Sequence, residues 1–355
     1  MIDFVYQALP MRVRFAPGAL AEIPAEMDHL GLKRVLVLAT PEQRELAERV
    51  AAGLGERAAG VFAQARMHVP VEVAERAGDE AERLGADGCL AVGGGSTTGL
   101  GKAIALRLGL PIIAVPTTYA GSEMTPVWGL TEGGEKRTGR DPKVLPASVV
   151  YDPDLTTTLP AGLSVTSAVN AMAHAVEALY APDSSPVISL MAEEGVRALT
   201  GAIPGVLADG RAAGPRSAAL YGAWLCGACL GATTMSLHHK ICHGLGGTLD
   251  LPHAPTHTVV LPHVLAYNQD HAPGARDALS RALSTPGDPA TRLWDLLGEW
   301  GAPTSLRELG MRREDIARIV SLTLANPYAN PRPVSAEALT GLLTRAWSGV
   351  RPAAD

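Results

Sequence analysis

The sequence holds four cysteines in 355 residues, a 4% share of aromatic residues and no long apolar run. Cys89, Cys226, Cys229 and Cys242 are too few to staple a chain of this length, which excludes a disulfide scaffold and suits a reducing compartment. Cys226 and Cys229 make a CxxC, but within GAWLCGACLGA the small neighbours favour close helix packing, so buried thiols are expected there. No stretch approaches the roughly 18 uninterrupted apolar residues of a spanning helix, and the opening MIDFVYQALPMRVRF lacks a basic region before an apolar one. The expectation is a cytoplasmic protein with no membrane partner. Charged residues are only 19% of the chain and the net charge is −6, which gives no general attraction to nucleic acid and leaves an anionic ligand to a local basic pocket.

Apolar material is plentiful at 47%, and 355 residues exceed what one hydrophobic core usually serves, so two domains are expected. The first half alternates short β-rich runs with helical stretches, the pattern of a parallel sheet wound with helices. KRVLVLA (33–39) reads as a buried strand, after which Thr40-Pro41-Glu42-Gln43 opens a helix with capping-box spacing. Further strands are expected at 88–92, 111–115 and 148–151, with helices near 71–84 and 97–108. Beyond the Pro- and Thr-rich DPDLTTTLPAGLS, Ala, Leu and Gly recur at helical spacing, with helices near 164–180, 186–200, 215–233, 237–247, 257–270, 289–299, 312–324 and 335–347. The resulting fold class is an α/β dinucleotide-binding domain with a parallel sheet, residues 1–157, followed by an all-α domain, residues 158–355.

Gly93-Gly94-Gly95-Ser96 follows a buried strand and opens a helix, where unpaired N–H groups and the positive helix end suit a phosphate. The spacing is not GxGxxG, so the turn alone does not define a Rossmann fingerprint. Thr117 and Thr118 end the next strand on the same edge of a parallel sheet, where ligands bind. Thr40, at the end of the 33–39 strand, takes the place of the acidic residue that ordinarily holds the adenosine ribose; a neutral hydroxyl tolerates a 2′-phosphate, so NADH and NADPH are both expected to be accepted.

Seven of the ten histidines fall between residues 174 and 263, most of them in SLHHKICHGLGGTLDLPHAPTH. His239 and His243 stand four apart on one helix face, and so do Asn170 and His174 on an earlier helix; His253 follows the first pair beyond Pro252. A three-histidine cluster is a common catalytic metal site, but here the fourth group, Asn170, is an uncharged amide, so at most a weakly held divalent ion is expected and no metal is required. Cys242, turned away from His243 by the helix, is expected to pack.

On these residues the chain resembles the iron-containing alcohol dehydrogenase superfamily, and within it the maleylacetate reductase branch, over nearly its whole length. GGGSTTGLGK is similar to the superfamily's GGGSxxDxxK turn, with Gly99 where aspartate is common and Lys102 retained. PTTYAGSEMT, containing Ser122, resembles PTTxxTGSExT one residue short, and DPKVLPASVVYDPDLTTTLP matches the stretch carrying a cofactor-contacting lysine, here Lys143. VTSAVNAMAHAVEA resembles the DAxxHxxE ligand helix with Asn170 in place of the aspartate. His239 and His253 keep the spacing of the other two ligands, and His243 stands at the active-site histidine.

The resemblance implies a dehydroquinate synthase-like fold, nicotinamide and substrate in a cleft between the domains, a small dicarboxylate substrate and a homodimer, for which 5–15 is a candidate interface strand. His243 is the expected proton donor, with His174, His239 and His253 polarising substrate oxygens in a branch that works without a metal. Arg137, Arg140 and Lys143 are candidates for added positive charge, although a solvated loop is the plainer expectation for the two arginines. Three other readings stay open: a metal-dependent alcohol or lactaldehyde dehydrogenase, a lyase of the dehydroquinate synthase type, and a catalytically silent dinucleotide-binding protein.

Overall fold

The structure is a computed structural model that describes residues 4–9, 11–133 and 135–353. The chain divides into two compact units, Leu9–Leu159 and Pro160–Asp355, the latter joined by the first eight residues.

The first unit is an α/β layer structure. Its elements run β1 (Arg12–Phe15), α1 (Ile23–His29), β2 (Val35–Leu38), α2 (Arg44–Leu54), β3 (Ala58–Phe62), α3 (Val71–Leu84), β4 (Gly88–Gly93), α4 (Gly95–Leu108), β5 (Ile112–Pro116), β6 (Val127–Glu132), β7 (Glu135–Arg140) and β8 (Ser148–Tyr151). Six strands form one sheet in the order β1-β8-β5-β4-β2-β3, every pairing parallel. The central strands are buried throughout, as helices on both faces require, and their sequences VLVL, GCLAVG and IIAVP are accordingly continuous apolar runs without alternation.

Several expectations are corrected here. The 5–15 segment is a strand only over Arg12–Phe15, where it pairs with β8 as an edge strand of the sheet; Val5 and Tyr6 are exposed without regular structure, and Pro10 lies outside the described residues. Thr40 opens a 3-10 turn, Pro41–Gln43, before α2 starts at Arg44, and its side chain makes no bond to the backbone of that turn. Arg137 and Arg140 belong to the antiparallel β6–β7 hairpin instead of a loop, with Arg137 exposed and paired to Glu132 at 3.2 Å.

The second unit is all helical: α5 (Ala161–Tyr180), α6 (Pro186–Ala208), α7 (Ala213–Ala232), α8 (Leu237–Leu249), α9 (His253–Asn268), α10 (Pro273–Ala282), α11 (Pro289–Glu299), α12 (Asp315–Ala325) and α13 (Ala336–Ser348). Small residues let α6 and α7 touch closely, since a Cβ added to Gly195 would meet Cys226 Sγ at 2.7 Å and one added to Gly222 would meet the Gly195 carbonyl at 2.9 Å. The CxxC thiols are therefore packing residues, and burial raises both well above the usual thiol range. No single helix among the described residues is long and apolar enough to cross a membrane.

Candidate functional site

In the first unit the glycine turn is held in place from two sides. A Cβ on Gly93 would lie 2.3 Å from Thr97 Oγ1 and 2.8 Å from Gln43 Oε1, so only glycine fits at the end of β4. Gly94 faces Thr118, whose Cγ2 would be 3.0 Å from an added Cβ. The Thr117 N–H donates to the Gly93 carbonyl at 3.1 Å, and the Gln43 amide donates to Thr117 Oγ1 at 2.7 Å. The ends of β4 and β5 and the turn after β2 are thus one connected edge, with Ser96 and Thr118 half-buried along it. Gln43 was not foreseen, because nothing in TPEQR sets a bridging amide apart from a helix-surface one.

Lys102, from α4, is buried beneath the next loop. Its Nζ lies 2.7 Å from the Ser122 carbonyl, 3.3 Å from Ser122 Oγ, 2.9 Å from Thr125 Oγ1 and 2.7 Å from the Val127 carbonyl. Burial pushes the Lys102 ammonium down to about 7, an effect opposed by the charge of Glu123. Glu123 is itself raised by burial and accepts a hydrogen bond from Tyr151 at 2.7 Å. Lys102 therefore shapes the segment that carries Ser122. Lys143 is exposed on a 3-10 turn, Pro142–Val144, whose first turn is capped by Asp141. At Gly99 an added Cβ would strike Val69 Cγ2 at 2.7 Å, so an aspartate there would collide with the loop before α3.

In the second unit three helices each present a polar pair four residues apart on an otherwise apolar surface: Asn170 and His174 on α5, His239 and His243 on α8, His253 and His257 on α9. The short Asp250–Pro252 connection folds α9 back against α8. The rings meet in a chain: His174 stacks on His239 at 5.4 Å, His239 lies 5.2 Å from His257 and 6.0 Å from His243, and His257 lies 4.4 Å from His253. All four expected histidines thus join one cluster, and Asn170 is buried one turn before His174.

Glu177, one turn after His174, is 1% exposed and accepts three donors. One oxygen takes the Ser236 N–H at 2.8 Å and His239 Nδ1 at 2.6 Å; the other takes the His238 N–H at 2.6 Å. It therefore caps the first turn of α8, whose N–H groups have no helical partner, and fixes the His239 ring at the same time. With a carboxylate on Nδ1, that nitrogen carries the ring proton and Nε2 the lone pair. His239 Nε2 and His174 Nδ1 have no hydrogen-bond partner among the described residues.

His238 and Cys242 of α8 and His257 of α9 meet beside these rings, a juxtaposition that sequence spacing alone does not show. His238 Nε2 is 2.9 Å from His257 Nδ1 and 3.7 Å from Cys242 Sγ. All three side chains are buried. Burial, with the neighbouring imidazoles adding to it, holds His174, His238 and His257 well below the usual histidine range, and it raises the Cys242 thiol well above its own.

An α/β unit with a glycine cradle at its strand ends, joined to a helical unit built around clustered imidazoles, defines an oxidoreductase of two-unit architecture. Residues 10–153 match the iron-containing alcohol dehydrogenase description and residues 164–347 the Fe-containing alcohol dehydrogenase family C-terminal one, so the chain belongs to the iron-containing alcohol dehydrogenase family. It is 54% identical over 351 residues to a maleylacetate reductase of Sphingobium indicum, covering 99% of each chain, and 55% identical over 352 residues to one of Burkholderia cepacia, covering 99% of this chain and all of the other. The crystal structure of maleylacetate reductase from Agrobacterium tumefaciens superposes with a TM-score of 0.95 at 51% identity, over 99% of this chain and 100% of that one.

Proposed function

We propose that the protein is a nicotinamide-dependent maleylacetate reductase, which converts maleylacetate, NAD(P)H and a proton into 3-oxoadipate and NAD(P)⁺. The observation that carries this reading is a buried carboxamide, Asn170, in the place where its helix would otherwise bring an anion to three imidazoles. Full-length identity above one half to maleylacetate reductases supports the same substrate.

A dinucleotide fits the first unit, because the glycines of this turn keep the end of β4 clear of side chains and the Gly95 and Ser96 N–H groups open α4 without a helical partner. Gly93, Gly94, Gly95 and Ser96 would receive the phosphates, Thr117, Thr118, Ser122 and Lys143 would line the path to the nicotinamide, and Thr40 would meet the adenosine ribose. Lys102 acts through the loop it holds. When bound, the reduced nicotinamide supplies the hydride.

A tightly held divalent cation does not fit Asn170, His174, His239 and His253. A carboxamide brings no charge to offset a dication, and charge balance is the main Coulomb term in such a site. The substrate lessens the need for one, since hydride addition to a carbon–carbon double bond conjugated to a ketone leaves an enolate with its charge spread onto the ketone oxygen. Hydrogen-bond donors placed where that oxygen becomes negative stabilise it. His174, His253 and the Asn170 amide are the donors in this scheme, and His243 delivers the proton to carbon. His239, its Nδ1 proton committed to Glu177, offers an acceptor lone pair at Nε2 in this scheme. A cytoplasmic homodimer completes the proposal on the strength of the family resemblance.

The test is the oxidation of NADH and of NADPH by maleylacetate, followed by absorbance before and after exhaustive chelation. Retained activity is expected; a loss that added zinc or iron restores would return the protein to the metal-dependent alcohol dehydrogenases, and consumption of neither cofactor would make it a binding protein.

A further inference from the structure

Among the described residues, the one group of three or more His, Cys, Asp or Glu side chains whose donor atoms all lie within 4.8 Å of one another is His238, Cys242 and His257. His238 and Cys242 are four apart on α8 and so share a face, while His257 reaches them from the first turn and a half of α9. We propose that His238, Cys242 and His257 form a binding site for a thiophilic d10 cation, Zn²⁺ or Cu⁺, and that a cation held there inhibits the enzyme.

Distances support the assignment. Two imidazole nitrogens on one tetrahedral zinc stand about 3.3 Å apart, and a nitrogen and a thiolate sulfur about 3.5 Å apart, given bonds of about 2.0–2.1 and 2.3 Å. The observed His238 Nε2 to Cys242 Sγ separation of 3.7 Å is close to the second value. The His238 Nε2 to His257 Nδ1 separation of 2.9 Å is that of a hydrogen bond, and replacing its proton by a cation asks the two rings to part by a few tenths of an ångström. The outer nitrogens, His238 Nδ1 and His257 Nε2, are buried with no hydrogen-bond partner among the described residues, and the outer nitrogen of whichever ring donates in this pair is unprotonated and can take up the proton displaced from the inner face. Coordination would release one proton from the Cys242 thiol to solvent and shift the shared proton to an outer ring nitrogen; no electron moves. One thiolate with two imidazoles suits a soft or borderline cation and discriminates against Mg²⁺ and Ca²⁺, which seek oxygen.

Occupancy would be felt at once by the reaction. His238 is the chain neighbour of His239, and the His257 ring lies 5.2 Å from His239 and 4.4 Å from His253. Parting His238 and His257 to admit a cation displaces two rings that lie beside those serving the substrate.

Cobalt(II) is the probe, because a thiolate ligand gives it a near-ultraviolet charge-transfer band that nitrogen and oxygen ligands do not. The chelated full-length protein titrated with Co²⁺ should develop that band, Cys242→Ser should abolish it, and Cys229→Ser should keep it. Zn²⁺ should bleach the band and inhibit NADH oxidation in the same concentration range, with the inhibitory concentration at least tenfold higher in Cys242→Ser. Since a damaged variant could lose the band by misfolding, His257→Gln serves as a second variant, expected to keep a thiolate band at weakened affinity. Binding without the band, or a band that survives Cys242→Ser, overturns the proposal, as does failure to bind at all. The spectrum does not depend on which substrate is reduced, so failure here leaves the maleylacetate assignment standing.

Discussion

Glu177 Oε2 lies 2.6 Å from Nδ1 of His239, a direct contact between two buried groups. That contact decides which nitrogen of the ring is available to the rest of the site. Replacing Glu177 with Gln keeps the size of the side chain but lets an amide N–H face Nδ1, which reverses the tautomer and puts the proton on Nε2. The turnover number is expected to fall at least tenfold, equivalent to about 1.4 kcal/mol of barrier, while NADH affinity stays within about twofold. Steady-state kinetics with fluorescence titration of NADH separates the two. Unchanged turnover would show that the tautomer of His239 is immaterial.

His243 is half-buried, with its ring 6.0 Å from that of His239, and it is assigned the final proton transfer. His243→Ala should lower the turnover number at least tenfold, in the range general acids contribute, without loss of NADH binding. A solvent isotope effect that is present in the wild type and unaltered in the variant would remove His243 from that step.

His263, on α9, is buried against Trp294 with ring centroids 5.4 Å apart, and neither ring nitrogen has a hydrogen-bond partner among the described residues. Burial first, and Arg345 second, lowers it to about 3 from 6.5. Because the unfolded chain takes up this proton near 6.5 and the folded one only near 3, stability is lost as pH falls through that window and levels off below it. Between about pH 7 and pH 5 the loss from this residue amounts to about 2 kcal/mol. Urea unfolding at both values should show a smaller acid loss in His263→Leu than in the wild type; equal slopes would mean that the ring finds a partner when charged.

Much of this was legible in the sequence, for reasons that differ by element. The β4–α4 turn could be read because a glycine run after a fully apolar strand has few other uses, α5 because small and apolar residues repeat at helical spacing, and α8 because His239 and His243 stand four apart. The β6–β7 hairpin could not: WGLTE and EKRTGR carry little apolar alternation, and their pairing is half-exposed. α10 escaped for a similar reason, since PGARDALSRA is short and polar. His253 was expected outside any helix but opens α9. Glu177 closes the stretch matched to DAxxHxxE, but its role is not legible there, because two of its three partners are backbone N–H groups about sixty residues away, and backbone donors leave no mark in a sequence. His238 and His257 were visible as histidines, but their 2.9 Å approach depends on how sharply α9 folds back after Pro252.

Cofactor choice rests on Thr40 and its neighbour. The Thr40 hydroxyl bonds to the carboxylate of Glu42 and, after that group's own backbone N–H, helps hold it below the usual carboxylate range. The first charge met beyond Thr40 is thus on an exposed side chain, which can exchange these two hydrogen bonds for water when a 2′-phosphate approaches, and this is why both cofactors are expected to serve. Thr40→Asp would place a carboxylate at the strand end itself, where it can accept hydrogen bonds from both ribose hydroxyls of NADH but repels a phosphate. The KM for NADPH should rise at least tenfold, with that for NADH within about threefold, since one fixed like charge in such a crevice costs on the order of 1–3 kcal/mol. If the wild type already prefers NADH several hundredfold, Glu42 is the discriminating charge, and Glu42→Gln in place of the Thr40 variant should then restore NADPH.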